Sequence, residues 1–244
     1  MLLFRSCAYF FWFALVTAFI AIGFLPSLLL PGSVMRFGAR LWCRGQLFGL
    51  RVIAGQDVVV QGMPPQGGRL IAAKHMSMLD TLVLFLQLRD VVIVLKRELA
   101  FVPFYGWYAW KVGFIFIDRE GGASALRHMT VRARKAIETG RSILIFPEGT
   151  RKKPGASPDY KPGVAALYRQ LNVPCVPVAL NSGLFWTGPM GFLKRPGTVK
   201  VAFLPAIPPG MQRRDFESAL EQEIETATGQ LLANPAWNLS SDDD

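Results

Sequence analysis

The amino-acid sequence predicts an α/β fold with a mixed, largely parallel sheet flanked by helices and preceded by an N-terminal membrane-associated helical segment. Short apolar, β-rich runs recur from about residue 56 and alternate in part with helical stretches, as they do in layered α/β domains. Residues 7–30, by contrast, carry no charge. We therefore divide the chain into a membrane-associated segment, 1–55, and an α/β domain, 56–244, which ends in an acidic helix.

The uncharged run 7–30 is long enough to cross a bilayer as a helix. Gly23 and Pro26 interrupt the run, so a bent or partly inserted helix fits the pattern equally well. A cleaved signal peptide is the competing interpretation, but no convincing small-x-small cleavage site follows the run. One arginine precedes the run and four follow it, which would put the domain in the cytoplasm if the segment spans.

The next stretch, 35–51, predicts an amphipathic helix. Arg36, Arg40 and Arg44 are four residues apart and share one helical face. Trp42 is a candidate interface anchor. A helix of this kind suits an anionic membrane surface. The alternative is a surface helix that packs on the domain.

The runs of the domain predict its elements in chain order. The strands are expected at 57–62, 68–73, 91–95, 112–117, 142–147, 173–180 and 198–204. The helices between them are expected at 81–88, 124–140 and 163–172. Two prolines, Pro174 and Pro177, make the sixth strand an expected edge or irregular strand.

Composition excludes several classes of function. The 27 Lys and Arg against 17 Asp and Glu give a net charge of +10, which favours anionic partners. No nucleic-acid motif occurs, so we expect no nucleic-acid partner. Three scattered cysteines and two histidines argue against a metal site, and we expect no cofactor. Residues 215–244 hold eight acids and no Lys or Arg, which predicts a solvated acidic helix and a frayed tail, SSDDD, at 240–244.

The stretch AAKHMSMLD, 72–80, holds the first candidate for chemistry. Helical positions five apart point about 140° away from each other, so His75 and Asp80 meet only if His75 precedes a helix that contains Asp80. The carboxylate would then hold one imidazole nitrogen and leave the other as a base. An isolated pair of this kind is more often structural. Ser77 lacks the G-x-S-x-G context of a nucleophile.

Two further runs end in charged residues. FPEGTR, 146–151, closes an apolar run, so its carboxylate and guanidinium would lie at the carboxyl end of a strand, where α/β folds bind ligands. Arg151 suits bidentate phosphate binding, and Gly149 allows a close backbone approach. GFIFIDREGG, 113–122, offers Arg119 as a second phosphate-binding candidate. The alternative for Arg119 is a surface salt bridge to Asp118 or Glu120.

The order of these motifs resembles the glycerolipid acyltransferase family over about residues 50–210. His-x4-Asp comes first, then Ile-Asp-Arg, then FPEGTR and a Val-Pro-x-x-Pro-Val segment. KRELAFVPFYGW, 96–107, resembles a further segment of the family. The chain departs from the family at Lys74, where Asn is usual, and at Met78, where an aromatic residue is usual.

The resemblance implies transfer of a fatty acyl group from an acyl thioester to the sn-2 hydroxyl of 1-acyl-glycerol-3-phosphate, giving phosphatidic acid. It implies His75 as the base and Asp80 as its partner. The implied substrate-binding residues are Lys96, Arg119, Glu148, Gly149, Thr150 and Arg151.

The partners implied by the resemblance are lysophosphatidic acid, acyl-carrier protein or coenzyme A as acyl donor, and an anionic membrane surface. The expected location is the bacterial inner membrane, with the domain on its cytoplasmic face. Eight aromatic residues between 101 and 116 suit an acyl groove, lipid contact or ordinary packing. The basic stretch 126–135 suits the acyl donor or is a solvated helix face.

Two alternatives stay open. The same chemistry fits another acceptor, such as a lyso-ornithine lipid. A non-enzymatic lipid-binding protein would explain the apolar content and the arginines, although not the pairing of His75 with Asp80.

Overall fold

The computed structural model describes residues 1–234; the predicted tail at 240–244 lies outside this range. In this range the α-helices are α1 (Leu2–Gly23), α2 (Gly32–Gly49), α3 (Met78–Gln87), α4 (Tyr105–Val112), α5 (Gly122–Glu138), α6 (Gly163–Leu171) and α7 (Arg213–Ala233). The strands are β1 (Gln56–Gln61), β2 (Leu70–Ala73), β3 (Val91–Lys96), β4 (Ile115–Ile117), β5 (Ser142–Ile145), β6 (Cys175–Leu180), β7 (Trp186–Thr187), β8 (Leu193–Lys194) and β9 (Gly197–Phe203).

The main sheet of the described residues has the strand order β1-β9-β6-β2-β5-β3-β4, and β7 pairs with β8 in a separate hairpin. Neighbouring strands of the main sheet are parallel except β6 and β9, which are antiparallel. The seven apolar runs of the sequence are the seven strands of this sheet. The predicted fold class, a mixed and largely parallel sheet flanked by helices, is confirmed.

Of the two expectations for the sixth strand, an edge or an irregular strand, the edge position is wrong, because β6 lies inside the sheet between β2 and β9. Pro174 precedes the strand. Pro177 lies between an isolated bridge of Cys175 with Ile207 and the start of the ladder with β9, where a missing N–H is tolerated. Its carbonyl still accepts from the N–H of Leu204 at 3.0 Å.

Helices cover both faces of the sheet. Side chains alternate along a strand, so Ile71 and Leu144 pack with α1 to α4 on one face. Leu70 and Ile143 pack with α5 to α7 on the other face. Strands β2, β5 and β6 are buried along their whole length, as central parallel strands are.

The C-terminal helix α7 corrects the expectation of a solvated helix. Phe216, Leu220, Ile224, Ala227 and Leu231 are buried and recur every three to four residues, which places them on one helical face. That face packs on β6 and α6. The helix is therefore amphipathic and its apolar face belongs to the core, although the acidic composition had indicated a solvated helix.

The N-terminal helices α1 and α2 form an antiparallel hairpin. The indole N–H of Trp12 donates to the carbonyl of Gly45 at 2.9 Å, and that of Trp42 donates to Thr17 Oγ1 at 2.9 Å. Trp42, expected as an interface anchor, is therefore bonded within the hairpin. Gly49 permits the close approach, since a Cβ there would lie 2.2 Å from the Trp12 ring.

The basic face of α2 is divided between the domain and solvent. Arg40 donates to carbonyls at the carboxyl end of α3, at 2.9 Å for that of Leu88. Arg36 lies 3.8 Å from a carboxylate oxygen of Asp90, whereas Arg44 is exposed. Two of the three arginines, Arg36 and Arg40, therefore contact the domain, as expected for a helix that packs on it. The adjacent side of α2, next to Arg44, leaves Phe37, Leu41 and Phe48 exposed.

Helix α1 is the one helix of the described range that is long and apolar enough to cross a membrane, and its most apolar window is only 17% buried. It is attached to the domain at both ends. Ser6 Oγ accepts from the N–H of Lys194 at 2.9 Å, and the hydroxyl of Tyr108 donates to the carbonyl of Ala21. The helix therefore lies alongside the domain.

Candidate active site

The candidate site lies at one edge of the sheet. Strands β2, β5, β3 and β4 are parallel neighbours, so their carboxyl ends meet at this edge, where open α/β sheets bind ligands. His75 follows β2, and Glu148 follows β5. Lys96 ends β3, and Arg119 follows β4.

The expected contact between His75 and Asp80 is present, with Nδ1 of the ring 3.0 Å from Oδ2 of the carboxylate. His75 precedes α3, and Asp80 lies in its first turn, as the spacing required. The same oxygen accepts the backbone N–H of Met76 at 2.7 Å and of Ser77 at 2.8 Å. Because a carboxylate oxygen only accepts, Nδ1 is the donor in this contact, which leaves Nε2 available to accept a proton.

The His75 ring is held from two sides. It stacks on Phe146 with ring centroids 3.9 Å apart and an angle of 21° between the planes. Its own carbonyl accepts from the N–H of Lys152 at 2.9 Å. The side chain is 15% exposed, so the ring is packed against Phe146 but still reached by solvent.

Ser77 is the N-cap of α3. Its hydroxyl accepts from the N–H of Leu79 at 3.2 Å and bonds to Ser182 Oγ at 2.8 Å. With Asp80 it completes a capping box. The residue is 3% exposed, so its hydroxyl serves the helix and is not presented as a nucleophile.

The turn of residues 146–151 brings an arginine to the site. Gly149 has a left-handed φ of 65°, which glycine adopts without strain. A Cβ on Gly149 would lie 3.2 Å from Cζ of Arg119, so the guanidinium lies against this turn. Asp118 bonds to Arg97 at 2.9 Å, and among the described residues no ion pair joins Arg119 to Asp118 or to Glu120. Partial burial lowers the pKa of Arg119, which still carries its charge near neutral pH.

Glu148 is buried beneath the same turn. It is 2% exposed, and its Oε1 accepts from Lys74 Nζ at 3.0 Å. Its Oε2 is buried and has no hydrogen-bond partner among the described residues. Burial raises the pKa of the Glu148 carboxyl, and the Lys74 ammonium opposes this effect. Sequence reasoning noted Lys74 only as a departure from a family pattern and missed this ion pair.

Lys96, Thr150 and Arg151 complete the set of expected substrate-binding residues. All three side chains are exposed at the edge of the sheet that carries His75. Among residues 1–234 none of them hydrogen-bonds to His75. The same residues contain no group of three or more His, Cys, Asp or Glu that could hold a metal ion.

Sequence reasoning also missed the roles of Phe146 and Lys152. Phe146 lies two positions after Leu144, on the same face of β5, and it reaches His75 because β5 is the neighbour of β2. No sequence signal identifies that neighbour, because strand order is set by long-range pairing.

Comparison with known proteins identifies the family of this chain. The sequence model of the family described as Acyltransferase matches residues 55–181, which is more than half of the chain. The 1-acyl-sn-glycerol-3-phosphate acyltransferase of Pseudomonas aeruginosa is 36% identical over 174 residues, which cover 70% of this chain and 67% of that protein. The protein of the same name from Limnanthes douglasii is 33% identical over 203 residues, or 79% and 69% of the two chains.

A solved structure supports the fold. The 1-acyl-sn-glycerophosphate (LPA) acyltransferase of Thermotoga maritima superposes with a TM-score of 0.77 at 20% identity, over 98% of each chain. The fold and the matched relatives define an α/β acyltransferase enzyme. The chain belongs to the acyltransferase family.

Proposed function

We propose that this protein transfers a fatty acyl group from an acyl thioester to the sn-2 hydroxyl of 1-acyl-glycerol-3-phosphate, giving phosphatidic acid. The observation that carries the proposal is the His75–Asp80 pair with the Arg119 guanidinium at the neighbouring turn. The pair supplies a base, and the arginine suits a phosphate group. The names of the relatives from Pseudomonas and Limnanthes support lysophosphatidic acid as the acceptor.

A hydroxyl is a weak nucleophile near neutral pH, so the reaction needs a positioned base. Nε2 of His75 takes the proton of the sn-2 hydroxyl while its oxygen attacks the thioester carbonyl. Asp80 holds the tautomer and stabilises the imidazolium. The carbon–sulfur bond then breaks, and the imidazolium returns the proton to the leaving thiolate, which leaves the base ready for another cycle.

The acceptor phosphate is bound by cations of the same sheet edge. Arg119 and Arg151 offer guanidinium groups, which match phosphate oxygens in pairs. Lys96 and Thr150 add a further charge and a hydroxyl. Gly149 keeps the turn free of a side chain, so backbone and phosphate can approach closely.

The acyl donor is acyl-carrier protein or acyl-coenzyme A. Both carry negative charge, and α5 exposes Arg127, Arg134 and Lys135 without an ion-pair partner among residues 1–234. These cations suit the phosphates of coenzyme A and the acidic surface of a carrier protein alike.

Membrane contact follows from one stripe of α1. Phe4, Phe11, Leu15 and Ile22 are between 52% and 78% exposed. At about 100° per residue they fall within ~40° of one another around the helix. Because α1 is attached to the domain at both ends, we favour a segment 1–55 that is partly inserted into an anionic membrane surface over one that spans the membrane. The proposed location is the cytoplasmic face of the bacterial inner membrane.

An apolar cleft of about 400 Å³ lies beside this segment and is lined by Leu28, Gly106, Trp107, Trp110 and Phe116, among others. Trp107 and Trp110 are 50% and 65% exposed. A cleft of this composition suits a fatty acyl chain that leaves the bilayer.

A lipid panel tests the proposed acceptor. Purified protein would receive radiolabelled lysophosphatidic acid or a lyso-ornithine lipid, each with acyl-carrier protein or coenzyme A as donor. We expect phosphatidic acid from the first acceptor. Product from the lyso-ornithine lipid alone would overturn the acceptor and retain the reaction. Binding of lipids with no product from any pair would favour a lipid-binding protein.

A further inference from the structure

Lys74 forms a buried ion cluster directly behind the site. Its side chain is 2% exposed, and Nζ lies 3.0 Å from Glu148 and 2.8 and 2.9 Å from the two oxygens of Glu225 on α7. Tyr160 donates to the same Glu225 carboxylate at 2.9 Å. One ammonium thus joins the end of β2, the turn after β5 and the C-terminal helix.

The pleat of β2 places Lys74 and His75 on opposite faces of the sheet. Leu70 and Ala72 pack on the side of α5 to α7, and Lys74 continues this face to Glu225. His75 points to the other side, where it stacks on Phe146. Lys74 therefore does not touch the base, and any influence on it passes through the neighbouring turn.

That turn has direct contacts with His75. Phe146 stacks on the ring, and the N–H of Lys152 donates to the His75 carbonyl. Glu148 lies between these two residues in the chain. A displacement of Glu148 therefore moves both supports of the base.

A buried carboxylate needs a partner, because leaving it unpaired costs much more than the pair itself gains. Lys74 is the ammonium that Glu148 contacts. The family pattern described above has Asn at this position, and its much shorter side chain does not reach α7.

We propose that Lys74 is a positioning residue: held by Glu225, its ammonium fixes Glu148 and with it the turn of residues 146–151 against His75. The proposal deepens the acyl transfer proposed above and rests on it. It gives Glu225, on a helix outside the motifs, a role in the reaction.

The charges give the direction of the pH effects. Lys74, Lys152 and Glu225 face Glu148, Tyr160 donates to Glu225, and Glu221 lies near Tyr160. Burial raises the pKa of Glu148, the two lysines lower it and Glu225 raises it. Lys74→Asn removes a positive charge, which favours the protonated forms of the titratable groups nearby. The acidic limb of the pH profile of kcat/KM should therefore move to higher pH. Glu225→Gln removes a negative charge and should move the limb to lower pH.

The kinetic test compares Lys74→Asn and Glu225→Gln with Glu223→Gln, an exposed position on the same helix. We expect Lys74→Asn to lower kcat by roughly 10- to 100-fold, as a small misplacement of a base does, while KM for lysophosphatidic acid changes much less. Glu223→Gln should match wild type in rate and pH profile. If both cluster variants lose activity only in proportion to stability and keep the wild-type pH profile, Lys74 is a structural residue and the proposal fails.

Hydrogen exchange of backbone amides tests the positioning role of Lys74 in the absence of substrate. The amides of Gly149 and Lys152, bonded to Phe146 and His75, should exchange about tenfold faster or more in Lys74→Asn and at the wild-type rate in Glu223→Gln. Unchanged exchange in Lys74→Asn would overturn the positioning role. If these amides exchange faster in Lys74→Asn but the wild-type protein makes no phosphatidic acid, the proposed function is overturned and the positioning role remains in place.

Discussion

At the residue scale, Asp80 has two structural roles. It caps α3 through the backbone N–H groups of Met76 and Ser77, and it orients His75 through Nδ1. The negative end of the residue also lies at the N-terminus of a helix, where anions are favoured. A single carboxylate therefore fixes both the start of the helix and the direction of the base.

Gly149→Ala should impair acceptor binding. The substitution forces a non-glycine residue to a φ of 65° and places a Cβ 3.2 Å from Cζ of Arg119. We expect KM for lysophosphatidic acid to rise by about tenfold, since one cationic contact to phosphate is displaced.

Gly155→Ala is the matched control for this prediction. Gly155 has a φ of 73°, and a Cβ there meets nothing within 4 Å. Both substitutions carry a similar backbone strain of about 1–2 kcal/mol. Steady-state kinetics should thus separate them, and an equal KM in both variants would remove Arg119 from the acceptor site.

Residue contacts were predictable from the sequence only where they are local. His75 and Asp80 are five positions apart, and helix geometry decides whether they meet. Lys74 and Glu225 are separated by 151 positions. Their pairing depends on where α7 packs, which no local pattern specifies.

At the scale of elements, α2 holds the carboxyl end of α3. Arg40 donates to carbonyls that no later turn of the helix can satisfy. It replaces a C-terminal cap that α3 lacks in its own sequence. The helix that carries Asp80 is therefore anchored at both ends, by Ser77 and by Arg40.

Arg40→Gln should lower the free energy of unfolding by about 1.5–3 kcal/mol, the range for hydrogen bonds to a charged group. Arg44→Gln on the exposed side of α2 is the control and should leave stability unchanged. Urea unfolding in detergent would measure both. Equal midpoints for the two variants would contradict an anchoring role for Arg40.

Sequence patterns predicted the strands of the main sheet, but not the position of β6 or the packing of α7. All seven strands of the main sheet followed from apolar runs, and their alternation with helices gave the fold class. The position of β6 did not follow, because Pro177 lies at an interruption of one ladder that only the pairing partner reveals. For α7, net acidity concealed the regular spacing of its apolar residues.

At the scale of the whole molecule, the two sides of the sheet differ. The side of α1 and α2 exposes large apolar residues, whereas α5 on the other side exposes cations. A lipid surface on one side and an anionic acyl donor on the other would then reach the protein without competing for the same surface.

Aspartate substitutions in the α1 stripe test the membrane contact. Phe11→Asp with Ile22→Asp should weaken binding to anionic vesicles by about 100-fold or more, since each exposed apolar side chain contributes roughly 1.5–3 kcal/mol when buried. Val131→Asp is the control, because Val131 is exposed on α5, on the opposite side of the sheet. Vesicle co-sedimentation would measure the binding, and equal losses in both proteins would place the lipid contact elsewhere.

The most direct test of the central claim is acyl transfer to lysophosphatidic acid by membranes that contain wild-type protein or His75→Ala. Without the imidazole, the sn-2 hydroxyl has no base, and we expect the rate of phosphatidic acid formation to fall by roughly 100-fold or more. Circular dichroism would show that the variant is folded. Equal phosphatidic acid from the two proteins would contradict the role of His75 as the base.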